Sequence, residues 1–171
     1  IERGILYRLA GQLDEAAEDL KAAHMLAPDS QDILTEYNDI LSQKVRRSTS
    51  PDPDLCVYAG ENHLRLGNDP GAFEMALLAL DSNPKHEPAL RLKARPELHN
   101  GRFADCHDTL RKLEDRASAL GIFEKLARAL GEEGKHLQAA EVLQECIEHA
   151  GQRRELLEQL RSLHHQQDRI Q

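Results

Sequence analysis

A glycine returns along this chain at a near-constant interval, and few folds tolerate such a pattern: Gly67, Gly101 and Gly134 lie 34 and 33 residues apart. A small residue stands seven positions before each (Gly60, Ala94, Ala127) and another five positions after (Ala72, Cys106, Ala139). The start of the chain carries the same frame in Gly4, Gly11 and Ala16, and runs on through Leu20 and Ala23 to Pro28. A period of this length marks a repeat architecture, in which each copy is one supersecondary unit that buries its apolar face only by stacking on its neighbours.

Each copy reads as two antiparallel helices. The glycine sits where a left-handed residue closes the first helix at little cost. The small residues around it let the two backbones approach to the short end of the usual ~8–10 Å range. Apolar residues recur at helical spacing, as in Phe123, Leu126, Ala127 and Leu130 followed by Ala139, Leu143 and Cys146. Pro28 and Pro84 close the second helices of their copies, and no stretch alternates in the manner of a strand.

Gly4-x-x-Tyr7-x-x-x-Gly11-x-x-x-x-Ala16-x-x-x-Leu20-x-x-Ala23-x-x-x-x-Pro28 resembles a tetratricopeptide repeat (TPR) at nearly every position, and the three later copies keep the register. Gly60, Gly67, Ala72, Ala76, Ala79 and Pro84 carry the second copy, which departs at His63, where that family has an apolar residue. The third departs at Glu97 and holds Pro96 inside its first helix; the fourth ends in Gly151 instead of proline. The resemblance implies an all-α, right-handed superhelical solenoid of antiparallel helix pairs, about ten helices in one domain.

The expected divisions are a truncated repeat at 1–30, an extra helix and loop at 31–52, repeats at 53–86, 87–119 and 120–153, and a capping helix at 154–171. Two of these are unusual. Gln31 to Arg47 places Ile33, Leu34, Tyr37, Ile40, Leu41 and Val45 on one face, so it reads as an unpaired first helix or as a degenerate repeat lacking its second helix. In the last segment Leu156, Leu157, Leu160 and Leu163 share a face, as a solenoid cap requires. Because the chain opens inside a helix of its first repeat, we expect it to be a fragment of a longer protein.

Composition agrees with a thin repeat core. Only 4% of residues are aromatic and none is tryptophan, so Ala and Leu must fill an interior that rings would dominate in an ordinary domain. A net charge of -8 argues against nucleic acid or anionic membrane as a partner. A mean hydropathy of -0.62 goes with the absence of a spanning run, hence no expected membrane insertion, and no signal peptide is recognisable. Three cysteines, Cys56, Cys106 and Cys146, form no C-x-x-C pair and favour a reducing, cytoplasmic location with all three thiols in the core.

No catalytic constellation emerges, and neither a cofactor nor a metal is expected. The run Gly131 to Lys135 lacks the spacing and hydroxyl of a phosphate loop. His164 and His165 are adjacent on a helix and diverge by about 100°, while Cys146 and His149 offer two ligands without a third. Paired acids such as Asp105 with Asp108, Glu15 with Glu18, and Glu132 with Glu133 read as solvated helix faces.

A binding surface is the stronger expectation. The face of each first helix opposite its packing residues lines the concave side of such an array. It carries Glu61 and Arg65 in the second copy, Arg91, Arg95 and His99 in the third, and Lys125 and Arg128 between Glu124 and Glu132 in the fourth. These positions fit a protein or peptide partner, in particular an acidic one held by bidentate arginine. The plainer alternative is that Arg128 pairs with Glu124 and Glu132, and Arg95 with Glu61. The carboxylate clamp of some TPR domains is not matched, since Val57, Glu61, Arg91 and Arg95 stand at its positions. The loop Arg46 to Pro51 reads as an ordinary linker, with a kinase target as the lesser alternative; self-association through Leu6 and Tyr7 of the uncapped first repeat, and a role as the recognition or assembly arm of a larger enzyme or machine, are alternatives to the scaffold reading.

Overall fold

A computed structural model describes residues 1–150, which form nine α-helices and one short 3₁₀ turn, with no strand among the described residues. The chain divides into two compact units, Ile1–Leu92 and Lys93–Gln171. The helices are α1 (Glu2–Leu9), α2 (Leu13–Leu26), α3 (Gln31–Arg47), α4 (Pro53–Arg65), α5 (Asp69–Ser82), α6 (Glu87–His99), α7 (Phe103–Arg111), α8 (Leu120–Glu132) and α9 (His136–Ala150). The expected cap at 154–171, with its leucines, His164 and His165, and Gly151 lie outside the described residues.

The periodic glycines do the same job four times. Gly11, Gly67, Gly101 and Gly134 have φ of 77°, 71°, 71° and 76°. In every case the glycine N–H reaches a carbonyl three residues back, and the next N–H reaches one five residues back. In the third copy these bonds are Gly101 to Leu98 at 3.1 Å and Arg102 to Glu97 at 2.8 Å. This is the Schellman closure, which satisfies the last free carbonyls of the first helix and reverses the chain. A Cβ at Gly101 would meet nothing within 4 Å, so the penalty for a side chain is purely that of the left-handed backbone. Gly101→Ala should therefore cost about 1 kcal/mol in urea unfolding, and Gly101→Asn distinctly less. Equal costs for the two would show that something other than backbone handedness selects glycine.

In residues 1–92, α1 and α2 pack as one pair and α4 and α5 as another, with α3 against both α2 and α4. Gly60 sets the closest approach: a Cβ there would lie 2.3 Å from Leu92 Cδ2 and 3.2 Å from Met75 Cβ. The core is built from Ala16, Leu20, Tyr37, Ile40, Met75 and Ala79 and their neighbours. Each fully buried Leu, Ile or Met contributes ~1.5–3 kcal/mol of transfer energy, so alanines at the crossings and a few large aliphatics between them suffice. Asp52 caps α4 by accepting the Asp54 N–H at 3.0 Å, and Asn68 caps α5 by accepting the Gly71 N–H at 3.0 Å.

The inserted helix α3 has the bounds and the buried face expected of it, and it buries two polar residues as well, Asn38 and Ser42. It is a single helix between two pairs. Arg8 of α1 pairs with Glu36 of α3 at 3.2 Å, and Arg46 of α3 pairs with Glu74 of α5 at 2.8 and 2.7 Å.

In residues 93–171, α8 and α9 form a pair that buries Phe123, Leu126 and Leu130 together with Ala139, Leu143 and Cys146. Helix α7 ends after Arg111; beyond it Leu113 is buried and the 3₁₀ turn Arg116–Ala119 leads into α8. Pro96 is accommodated inside α6.

Candidate functional site

The first-helix stripe separates into two sets. Glu61, Arg65 and Arg91 belong to the first unit, and Arg95, His99, Lys125 and Arg128 to the second. Glu61 and Arg65 are exposed on α4, while Arg91 is half-buried and lies 3.6 Å from Glu87 one turn back. In the second unit Arg95, Lys125 and Arg128 stand on the surfaces of α6 and α8, and none makes an ion pair among the described residues. The alternative in which Glu124 and Glu132 neutralise Arg128 is therefore not the arrangement found. A solvated pair at that spacing gains only ~0.3–0.5 kcal/mol, too little to hold two long side chains together.

A second feature goes beyond the expectations. A groove of about 480 Å³ runs along the second helices α7 and α9, from the Gly101 turn and Lys135 to Arg111. Phe103, Ala104 and Leu130 give it an apolar part, and Asp105, Asp108, Gln138 and Glu141 a polar one. Its cations are occupied. Arg111 forms a double hydrogen bond to Glu145, which also receives His107 at 3.3 Å and Arg116 at 3.7 Å, so its carboxyl is held below the ordinary range first by Arg111. Lys135 lies 2.7 Å from Glu133 and 5.7 Å from the centre of the Phe103 ring. The acids are more open: Asp105, Asp108 and Glu141 are exposed and make no hydrogen bond or ion pair among the described residues, Asp108 and Glu141 interacting with Arg111 only through its charge. Spacing alone reads Asp105 and Asp108 as plain surface. The signal that could have found them is that Asp108 and Glu141 stand 33 residues apart, at one place in successive copies.

Two of the departures from the repeat pattern, His63 and Glu97, are both buried and partnered. His63 is 7% exposed and sits between Ser42 Oγ at 3.0 Å from Nε2 and Asn68 Nδ2 at 3.1 Å from Nδ1. Since Asn68 Oδ1 accepts the Gly71 N–H, its amide nitrogen must donate to Nδ1. The imidazole is then the neutral Nε2–H tautomer and donates to Ser42. A general base needs the opposite, a free Nε2 facing the hydroxyl, so this Ser–His contact is wired for packing. His63 replaces an apolar residue because the inserted α3 presents Ser42 to it. Glu97 is 1% exposed; Lys93 Nζ reaches its Oε1 at 2.8 Å and donates to Thr109 Oγ1 at 2.9 Å, while Glu97 Oε2 is buried without a hydrogen bond.

All three cysteines are free and buried. Burial, with Glu97 adding to it, pushes the Cys106 thiol up to about 12, and burial likewise raises Cys56. A thiolate reagent such as Ellman's should consequently titrate none of the three in native buffer and all of them in concentrated urea. A stoichiometric reaction in native buffer would contradict the buried placement. Among the described residues no group of three His, Cys, Asp or Glu could hold a metal, and no helix is long and apolar enough to cross a membrane. The side chain of His149, paired with Cys146 in the sequence, lies outside the described residues.

No family model matches the sequence, and no curated protein matches it either. Solved structures do match the fold. YrrB, a TPR protein with an unusual peptide-binding site, superposes with a TM-score of 0.55 at 13% identity, over 92% of this chain and 88% of that one. TTC0263, a thermophilic TPR protein in Thermus thermophilus, gives 0.53 at 16% identity over 95% of both chains. MamA from Desulfovibrio magneticus RS-1 gives 0.56 at 16% identity, over 98% of this chain and 82% of that one. The fold is that of the TPR proteins, all-α with sequential antiparallel helices.

Proposed function

We propose that this chain of TPR fold is a non-catalytic scaffold or adaptor that binds another protein, or an extended peptide segment of one. The observation that carries the reading is the pairing of a repeat fold with charged side chains on its exposed helix faces that have no ion-pair partner among the described residues. TPR folds are typically protein- or peptide-binding modules, and the peptide-binding site named for YrrB supports the same class of ligand. The stripe that we assign to an acidic partner is Arg95, Lys125 and Arg128 in the second unit, with His99 beside it; Glu61, Arg65 and Arg91 are its counterparts in the first. Arg95, Lys125 and Arg128 supply donors that no carboxylate among the described residues consumes, and arginine binds a carboxylate in bidentate fashion.

The test is charge reversal in the full chain. A partner captured from cell extract is purified and titrated against the native chain and against Arg95→Glu/Arg128→Glu. Weakening of at least about tenfold is expected, with affinity that falls as salt rises. An affinity unchanged by both reversals would remove the stripe from the binding surface.

A further inference from the structure

We propose that the groove between α7 and α9 is a docking site for an extended, basic peptide segment, on the opposite set of helices from the stripe where the repeat pattern alone puts a ligand. The inference rests on the chain being a peptide-binding module and adds a second site, for a segment opposite in charge to the acidic one assigned to the stripe.

Two observations converge. The first is dimensional. The lining residues of α7 run from Phe103 to Arg111, a rise of about 12 Å along a helix, which accommodates about three to four residues of an extended chain at ~3.3 Å each. The second is the charge available to a visitor. Arg111 is committed to Glu145 and Lys135 to Glu133, and Arg102, which also lines the groove, is itself engaged. Asp105, Asp108 and Glu141 make no hydrogen bond or ion pair among the described residues, although the charge of Arg111, itself bonded to Glu145, is felt by Asp108 and Glu141, so the groove offers three exposed carboxylates and an apolar floor of Phe103, Ala104 and Leu130. An acidic peptide would meet like charge along the rim, whereas Lys or Arg side chains find acceptors and lay their methylenes on the floor.

The experiment uses the full chain and an array of synthetic nonapeptides of graded net charge. Three proteins are compared: the native chain, Asp105→Asn/Asp108→Asn/Glu141→Gln, and Arg95→Glu/Arg128→Glu. All the altered side chains lie at the surface, and circular dichroism verifies that each variant is folded. Basic peptides should bind the native chain, bind the groove variant about tenfold more weakly as three partly screened ion pairs are lost, and bind the stripe variant as well as the native chain. Basic peptides that bind native and groove variant equally would overturn the groove while leaving the peptide-binding reading intact. Binding of acidic peptides alone, abolished by the stripe variant, would do the same. Failure of every peptide to bind the native chain would overturn both.

Discussion

Lys93→Ala should destabilise the chain by ~3–5 kcal/mol, the usual result of removing one partner of a buried ion pair, and should lower the melting midpoint by roughly 10 °C. Lys93 is the only cation on Glu97 among the described residues, and the Glu97 side chain is 2% exposed, with Oε2 already lacking a hydrogen bond. Without the ammonium the carboxylate would be desolvated and unpaired, and Thr109 Oγ1 would lose its donor. The cost belongs to the orphaned charge rather than to the pair itself. Lys93→Met combined with Glu97→Leu should for that reason recover most of the loss, because a well-packed apolar pair of similar volume replaces a buried salt bridge at little or no cost. Urea titrations of the two variants provide the comparison. A Lys93→Ala variant as stable as the native chain would mean that water reaches Glu97.

A second strong response is expected at His63, where restoring the apolar residue of the repeat pattern should weaken the protein. His63→Leu leaves the buried Ser42 hydroxyl and the Asn68 amide without their partner, at a cost of ~2–3 kcal/mol. Ser42→Ala added to it should return about half. The same site gives a pH dependence. Burial first, then the charge of Arg46, hold the imidazole below its ordinary pKa, against the opposing pull of Asp39 and Glu74. Since the fold prefers the neutral ring, the stability it contributes is complete above the unfolded-state value of ~6.5 and is lost as pH falls from there toward the folded value. The urea midpoint of the native chain should thus drop between pH 7 and pH 5 by more than that of His63→Leu. Parallel losses in the two proteins would place the acid sensitivity elsewhere.

These two residues also show how far the sequence was legible. The turn glycines, the small residues at the crossings and the bounds of α3 followed from periodicity alone, because backbone handedness and close packing leave few residue types that fit. His63 and Glu97 stood out only as departures. What makes each one tolerable is a partner that no repeat frame identifies: Ser42 on the inserted helix for one, Lys93 and Thr109 for the other. The candidate site was harder still. Which cations remain available depends on carboxylates far away in sequence, such as Glu145 for Arg111, 34 residues on.

If this TPR fold holds an extended peptide on exposed, unpaired charge, nitrogen–proton NMR spectra of the full chain will register it as basic and then acidic nonapeptides are added. Saturable shifts should be confined to residues 101–111 and 135–145 for basic peptides, and to the exposed faces of α6 and α8 for acidic ones. Spectra that no peptide of either charge perturbs would refute peptide binding by this chain.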